Sequence, residues 1–221
     1  MRRRDVLVLS CVLAVVLVTV SVAGALEVER LVALQAVPGG AGRVAQEVPV
    51  TAEALRAVAA GLRDERPDVS FALLRRAAEQ FPDDARVHND LGVFAHDAGD
   101  FALARAEFER AVMLDGRYEQ GLSNLATLHF HEGRYAQAAL VLERLSGLNP
   151  AEPQYVYDRA MNLAAIARAK QVPSAAEIGV VVGLLEQVVV LDPVYAHAEH
   201  NLEVMRGLHA VLVSQDARSL N

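Results

Sequence analysis

Residues 99–115, GDFALARAEFERAVMLD, and residues 133–150, GRYAQAALVLERLSGLNP, decide the fold. The second phrase repeats the first at an offset of 34 residues: Gly99 answers to Gly133, Phe101 to Tyr135, Ala104 to Ala138, Phe108 to Leu142 and Leu114 to Leu148. Each phrase opens on a glycine and a polar residue, a turn signal, and continues with small and bulky apolar residues at helical spacing. A fixed period of this length marks stacked supersecondary units, none of which hides its apolar face alone.

Extending the frame outward gives units beginning at Thr51, Ala85, Glu119 and Pro153. In the second, Leu91, Gly92 and Ala95 share one face of a first helix, Gly99 and Asp100 make the turn, and Phe101, Ala104, Phe108 and Ala111 mark the inner face of a second helix. In the third, the equivalents are Leu125, Ala126, His129, Gly133, Arg134, Tyr135, Ala138, Leu142 and Leu145. A small residue at Gly92 or Ala126 admits the paired helix, and a large one at Phe108 or Leu142 fills the space between pairs. Gly99 and Gly133 suit a left-handed turn. Pro82, Pro150 and Pro193 fall just past the second helices, where no helix has to continue.

The outer units depart from this pattern. The first opens with Thr51 as N-cap and Glu53 in its first turn, and carries Pro67 at the start of its second helix, where no amide donor is needed. The fourth is lengthened: a first helix from Pro153 to about Lys170, a break at Val172-Pro173, and a capping box from Ser174 to Glu177 that opens a second helix. Both helices are therefore expected to be extended, by repeat drift or to carry a partner contact. A cap helix follows over residues 195–213, with a polar tail over 214–221.

This arrangement resembles the tetratricopeptide repeat family over residues 51–205. The resemblance implies an all-α fold, a right-handed α-solenoid of antiparallel helix pairs (TPR-like), with repeats over 51–84, 85–118, 119–152 and 153–195. It also implies a concave groove lined by the first helices. Carried over by register, the groove positions are Arg86, Asn89, Asp90, Val93, His96 and Asp97, then Gln120, Ser123, Asn124, Thr127, Phe130 and His131, then Gln154, Tyr157, Asp158 and Met161, and on the cap helix His197, His200 and Asn201. Asn or Asp recurs at one frame position (Asp90, Asn124, Asp158, Asn201). Such side chains can hold an extended peptide backbone, or can merely hydrate the helix. Some family members grip a carboxylate with basic groove residues; here only Arg86 is basic, so the resemblance does not carry that activity over. An acidic groove favours a basic or amide-rich ligand.

Composition agrees with closely packed helices: 53% of residues are hydrophobic, 5% aromatic, and tryptophan is absent. The net charge of −7 and the lack of a basic stretch beyond residues 2–4 argue against nucleic acid. Residues 6–22 are apolar except for Ser10, Thr19 and Ser21, and follow three arginines. Counted to Leu26, the run is 21 residues long, about 31 Å as a helix and enough to cross a bilayer. Residues 1–26 thus read as a single apolar helix preceding the repeats. It is either a transmembrane anchor with the arginines cytoplasmic, or a signal peptide cut near Ala25. Either reading places the remainder outside the cytoplasm, in the periplasm of a bacterium. Residues 27–50, with Pro38-Gly39-Gly40, form a linker. The lone cysteine, Cys11, lies in the apolar run and forms neither an internal disulfide nor a cysteine zinc site.

No nucleophile, phosphate-loop or metalloprotease signature is present. His129 and His131 point about 200° apart on a helix, and His129 occupies a packing position, often tyrosine in the family, as a core polar group. The expected function is a non-catalytic protein-protein interaction scaffold, membrane-tethered, without cofactor or metal, binding a peptide or partner protein and serving envelope assembly. Two alternatives remain: metal or cofactor delivery through His197 and His200, three apart on the cap helix, and self-assembly through Leu208, Val211 and Leu212.

Overall fold

The computed structural model describes residues 50–170 and 172–219. The apolar run of residues 6–26, most of the linker and residues 220–221 lie outside the described residues. Among the described residues every regular element is an α-helix: α1 (Ala52–Leu62), α2 (Pro67–Gln80), α3 (Ala85–Asp97), α4 (Phe101–Leu114), α5 (Glu119–His131), α6 (Tyr135–Leu148), α7 (Pro153–Ala169), α8 (Ala175–Leu191) and α9 (Ala198–Ser219). They form two compact units that divide between Leu91 and Gly92.

In the first unit, Thr51 caps α1 by accepting a hydrogen bond from the Ala54 amide at 3.1 Å. Pro67 stands in the first turn of α2, where its missing N–H costs nothing. The two helices pack through Leu55, Ala59, Leu73, Leu74 and Ala77. Between them the buried Ser70 hydroxyl donates to the Ala59 carbonyl at 2.8 Å. Ser70 holds the frame position of Ala104, so a small side chain is kept there and its one polar group is satisfied. His88 is buried with Nε2 3.0 Å from the Pro82 carbonyl.

The second unit is a run of hairpins in which α4 to α9 each pack on the next helix in sequence. At the α3–α4 turn, Gly99 has φ +80°, and the Asp100 amide donates to the Ala95 carbonyl at 2.9 Å. At the α5–α6 turn, Gly133 has φ +72°, and Arg134 donates to His129 at 2.8 Å. Both are Schellman closures, which explains why glycine recurs at this frame position. Asp100 caps α4 by accepting from the Leu103 amide at 3.0 Å. Ala104, Phe108 and Ala111 are buried as expected, whereas Phe101 is 47% exposed. Phe101 sits in the first turn of α4, beyond the packing seam, with its ring edge-on to His96 at 5.5 Å.

The core repeats with the sequence. Ala95, Ala104, Phe108, Leu125 and Leu128 form one cluster, and Leu122, Ala126, Leu142 and Leu145 the next. Gly92 faces Phe108 so closely that a Cβ there would lie 2.6 Å from the ring. Ala126 with Leu142 is the same pair one frame later, with a larger small residue and a smaller large one. Glu132 binds both Arg105 of α4, at 2.7 Å, and Arg134, tying the α5–α6 turn to the preceding hairpin.

The fourth hairpin has the expected long helices, 17 residues each. Ser174 and Glu177 form the capping box of α8, and Lys170 pairs with Glu177. The cap helix differs from expectation: it starts at Ala198 and continues to Ser219 through most of the polar tail. Residues 192–197 instead form a turn, closed by the Tyr195 amide on the Asp192 carbonyl at 3.1 Å, with His197 at φ 65°. The extra length of α9 has support beneath it, because Leu212 is buried with Ala167 and Ile178 of the lengthened hairpin.

Candidate peptide groove between α5 and α7

A cavity of about 330 Å³ opens between α5 and α7 in the second unit. Seven of the expected groove residues meet there, among them Ser123 and Thr127 from α5, and Tyr157, Asp158 and Met161 from α7. Phe130 and His131 continue the α5 wall. Ala126, Leu142 and Asn162 complete the lining and were not among the expected positions. The geometry follows from helical register. Ser123, Thr127 and Phe130 lie three and four residues apart and share a face of α5, while Asp158, Met161 and Asn162 share a face of α7.

The polar groups of the cavity are unevenly served. Asn162 is 3% exposed; its Nδ2 donates to the Asp158 backbone carbonyl at 2.8 Å, and its Oδ1 is buried with no partner. Earlier frames place Phe94 and Leu128 at this position, so an amide stands here where packing alone calls for an apolar side chain. Burial raises the pKa of the Asp158 carboxyl from its ordinary value, against a lowering hydrogen bond from Gln154. Burial also pushes the Tyr195 phenol up, followed by the charge of Asp158. The Tyr195 ring lies tilted by 48° against Tyr157, centroids 5.0 Å apart, and the Tyr157 hydroxyl accepts from Asn201 Nδ2 at 2.8 Å.

The remaining expected residues divide by place. Asn201 donates its Nδ2 to the Tyr157 hydroxyl and the Met161 sulfur and so braces α9 against α7. His200 is exposed on α9, Asn124 is half-buried, and Gln120 is exposed and accepts from the Tyr118 hydroxyl at 3.1 Å. Val93 is half-buried on α3. In the first unit Arg86 is exposed, whereas Asp90 is bound by Arg56 at 2.6 Å. Asn89 is 0% exposed and corrects the expectation: it is an interior amide and presents nothing to a groove.

Among the described residues no group of three or more His, Cys, Asp or Glu side chains gathers as a metal site. His197 lies before α9, in the left-handed region, so it does not stack one turn from His200 as the sequence spacing implied. His129 is 6% exposed with Nδ1 unpartnered, and burial lowers its pKa. Leu212 is buried and unavailable for assembly, while Leu208 and Val211 are 38% and 52% exposed. Among the described residues no helix is long and apolar enough to cross a membrane.

Residues 95–161 match the profile of the tetratricopeptide repeat family. The sequence matches no curated protein. Similar solved structures include MamA, with 16% identity over 76% of this chain and 90% of that one, at a TM-score of 0.61. MamA residues 41 to the end from Desulfovibrio magneticus RS-1 match with 16% identity over 76% and 93%, at 0.59. YrrB, described as a TPR protein with an unusual peptide-binding site, matches with 18% identity over 71% and 77%, also at 0.59. The fold is therefore that of tetratricopeptide repeat proteins, and the family profile falls on the stretch containing most of the groove.

Proposed function

We propose that this chain is a non-catalytic interaction scaffold that holds an extended segment of a partner protein between α5 and α7. The observation that carries the reading is the cavity, which joins seven groove residues from two successive first helices. A peptide-binding site in YrrB, a chain of the same fold, supports it. Site-specific photo-crosslinking in cells tests it. A benzophenone side chain at Thr127, which is exposed and lines the cavity, should capture a partner that the same group at Leu140, 68% exposed on α6, does not. Equal capture at both positions refutes the groove.

The apolar run of residues 6–26 behind three arginines supports a second element, a membrane tether or export signal that puts the repeats on the outer side of the cytoplasmic membrane. In that setting the scaffold serves envelope assembly. An alkaline phosphatase fusion after Asn221 should be active in a bacterial host, and an inactive, stable fusion refutes export.

A further inference from the structure

We infer that the α5–α7 cavity receives a basic side chain, lysine or arginine, from the partner segment, with Asp158 as its counter-charge. This rests on the groove reading above and names the chemistry of its occupant. The cavity has the two parts such a side chain needs. Phe130, Leu142, Met161 and Ala126 give apolar wall for the methylene stem. Asp158 and the buried, unpartnered Oδ1 of Asn162 give acceptors for a charged head that carries only donors. No lysine or arginine lines the cavity, and none pairs with Asp158 among the described residues. Several other carboxylates of this unit are matched: Glu132 by Arg105 and Arg134, Glu143 by Arg159, Glu186 by Arg206.

The Asn162 amide is the independent observation. An acceptor buried without a partner carries a desolvation cost, and its frame equivalents Phe94 and Leu128 show that the repeat itself does not require one. A donor from outside relieves that cost, together with the partial burial of the Asp158 charge. A carboxylate-bearing or purely apolar segment relieves neither.

The test uses the full-length protein with methyl-labelled methionine and blocked alanine heptapeptides bearing one central lysine, arginine, norleucine or glutamate. Met161 lines the cavity, whereas Met113, 69% exposed on α4, serves as the internal control. The lysine and arginine peptides should shift the Met161 methyl signal and leave Met113 in place, with norleucine and glutamate about tenfold weaker or silent. Asp158→Asn should remove that preference while the chain stays folded by circular dichroism, and Thr127→Trp, filling the mouth, should abolish all binding. If norleucine binds as well as lysine and Thr127→Trp removes both, the basic occupant is overturned while the groove stands. If no peptide moves Met161, or Thr127→Trp leaves binding intact, both readings are overturned.

Discussion

Gly92→Ala puts the packing logic of the repeat to a quantitative test. A Cβ at position 92 would lie 2.6 Å from Cδ1 and 2.7 Å from Cε1 of Phe108. The ring is 2% exposed and held among Ala95, Ala104, Leu125 and Leu128. It has no room to swing aside, so either the ring or α3 must move. Alanine in a helix interior gains about 1 kcal/mol over glycine. Overpacking a filled core costs ~1–3 kcal/mol, and a contact this short on a buried ring belongs in the upper half. The net is a loss of ~1–2 kcal/mol. The next repeat supplies the control, because Ala126 with Leu142 is the same pair already exchanged. In a Phe108→Leu background, Gly92→Ala should therefore become neutral or stabilising, with a coupling energy of about 2 kcal/mol. Urea denaturation of the four proteins of this cycle, followed by far-ultraviolet circular dichroism, measures it. A Gly92→Ala protein more stable than wild type, or a coupling indistinguishable from zero, would refute the reasoning.

Three further outcomes follow from buried and capping groups. His129 has its pKa lowered below 6.5, chiefly by burial, so the unfolded chain takes up its proton first as pH falls. Stability should decline as pH drops through 6.5, and His129→Leu should flatten that decline and add about 1 kcal/mol at neutral pH; pH-dependent thermal melts decide between them. Ser174→Ala breaks the capping box and should cost α8 ~1 kcal/mol, read in the same melts. Glu177 is held at about 2 by Lys170 first and then by Ser174. Its contribution is complete above the ordinary 4.5 and is lost as pH falls toward 2. Wild type should lose stability across that acid range more steeply than Lys170→Ala.

The hairpins, their turns and their packing seam were legible because each rests on a local rule repeated at fixed spacing. Glycine at 99 and 133, Pro67 at a helix start and the Ser174–Glu177 box all act within a few residues of themselves. What escaped the sequence depends on distant contacts. Phe101 carries the aromatic of a seam position yet stands one turn outside the seam. The start of α9 is displaced because His197 adopts a positive φ that no local signal announces. Its far end is set by Leu212 meeting Ala167 and Ile178 across the lengthened hairpin. Residues that register placed on α5 and α7 line one cavity, but register gave no warning that Asn89 is interior or that the Asn201 amide donates to Tyr157. Asn162 had a signal, an amide in an otherwise apolar stretch at a frame position held by Phe94 and Leu128. Only its buried, unpartnered oxygen showed what the signal meant.

The exchanged pairs Gly92 with Phe108 and Ala126 with Leu142 also bear on how such an array can lengthen or diversify. Each pair joins the two helices of one hairpin, so duplication or recombination that moves whole hairpins carries both partners along. A crossover falling inside a hairpin would set alanine against phenylalanine or glycine against leucine, leaving a collision in one descendant and a hole in the other. The heritable module of this chain is accordingly the hairpin, with breakpoints tolerated in the connections between successive pairs.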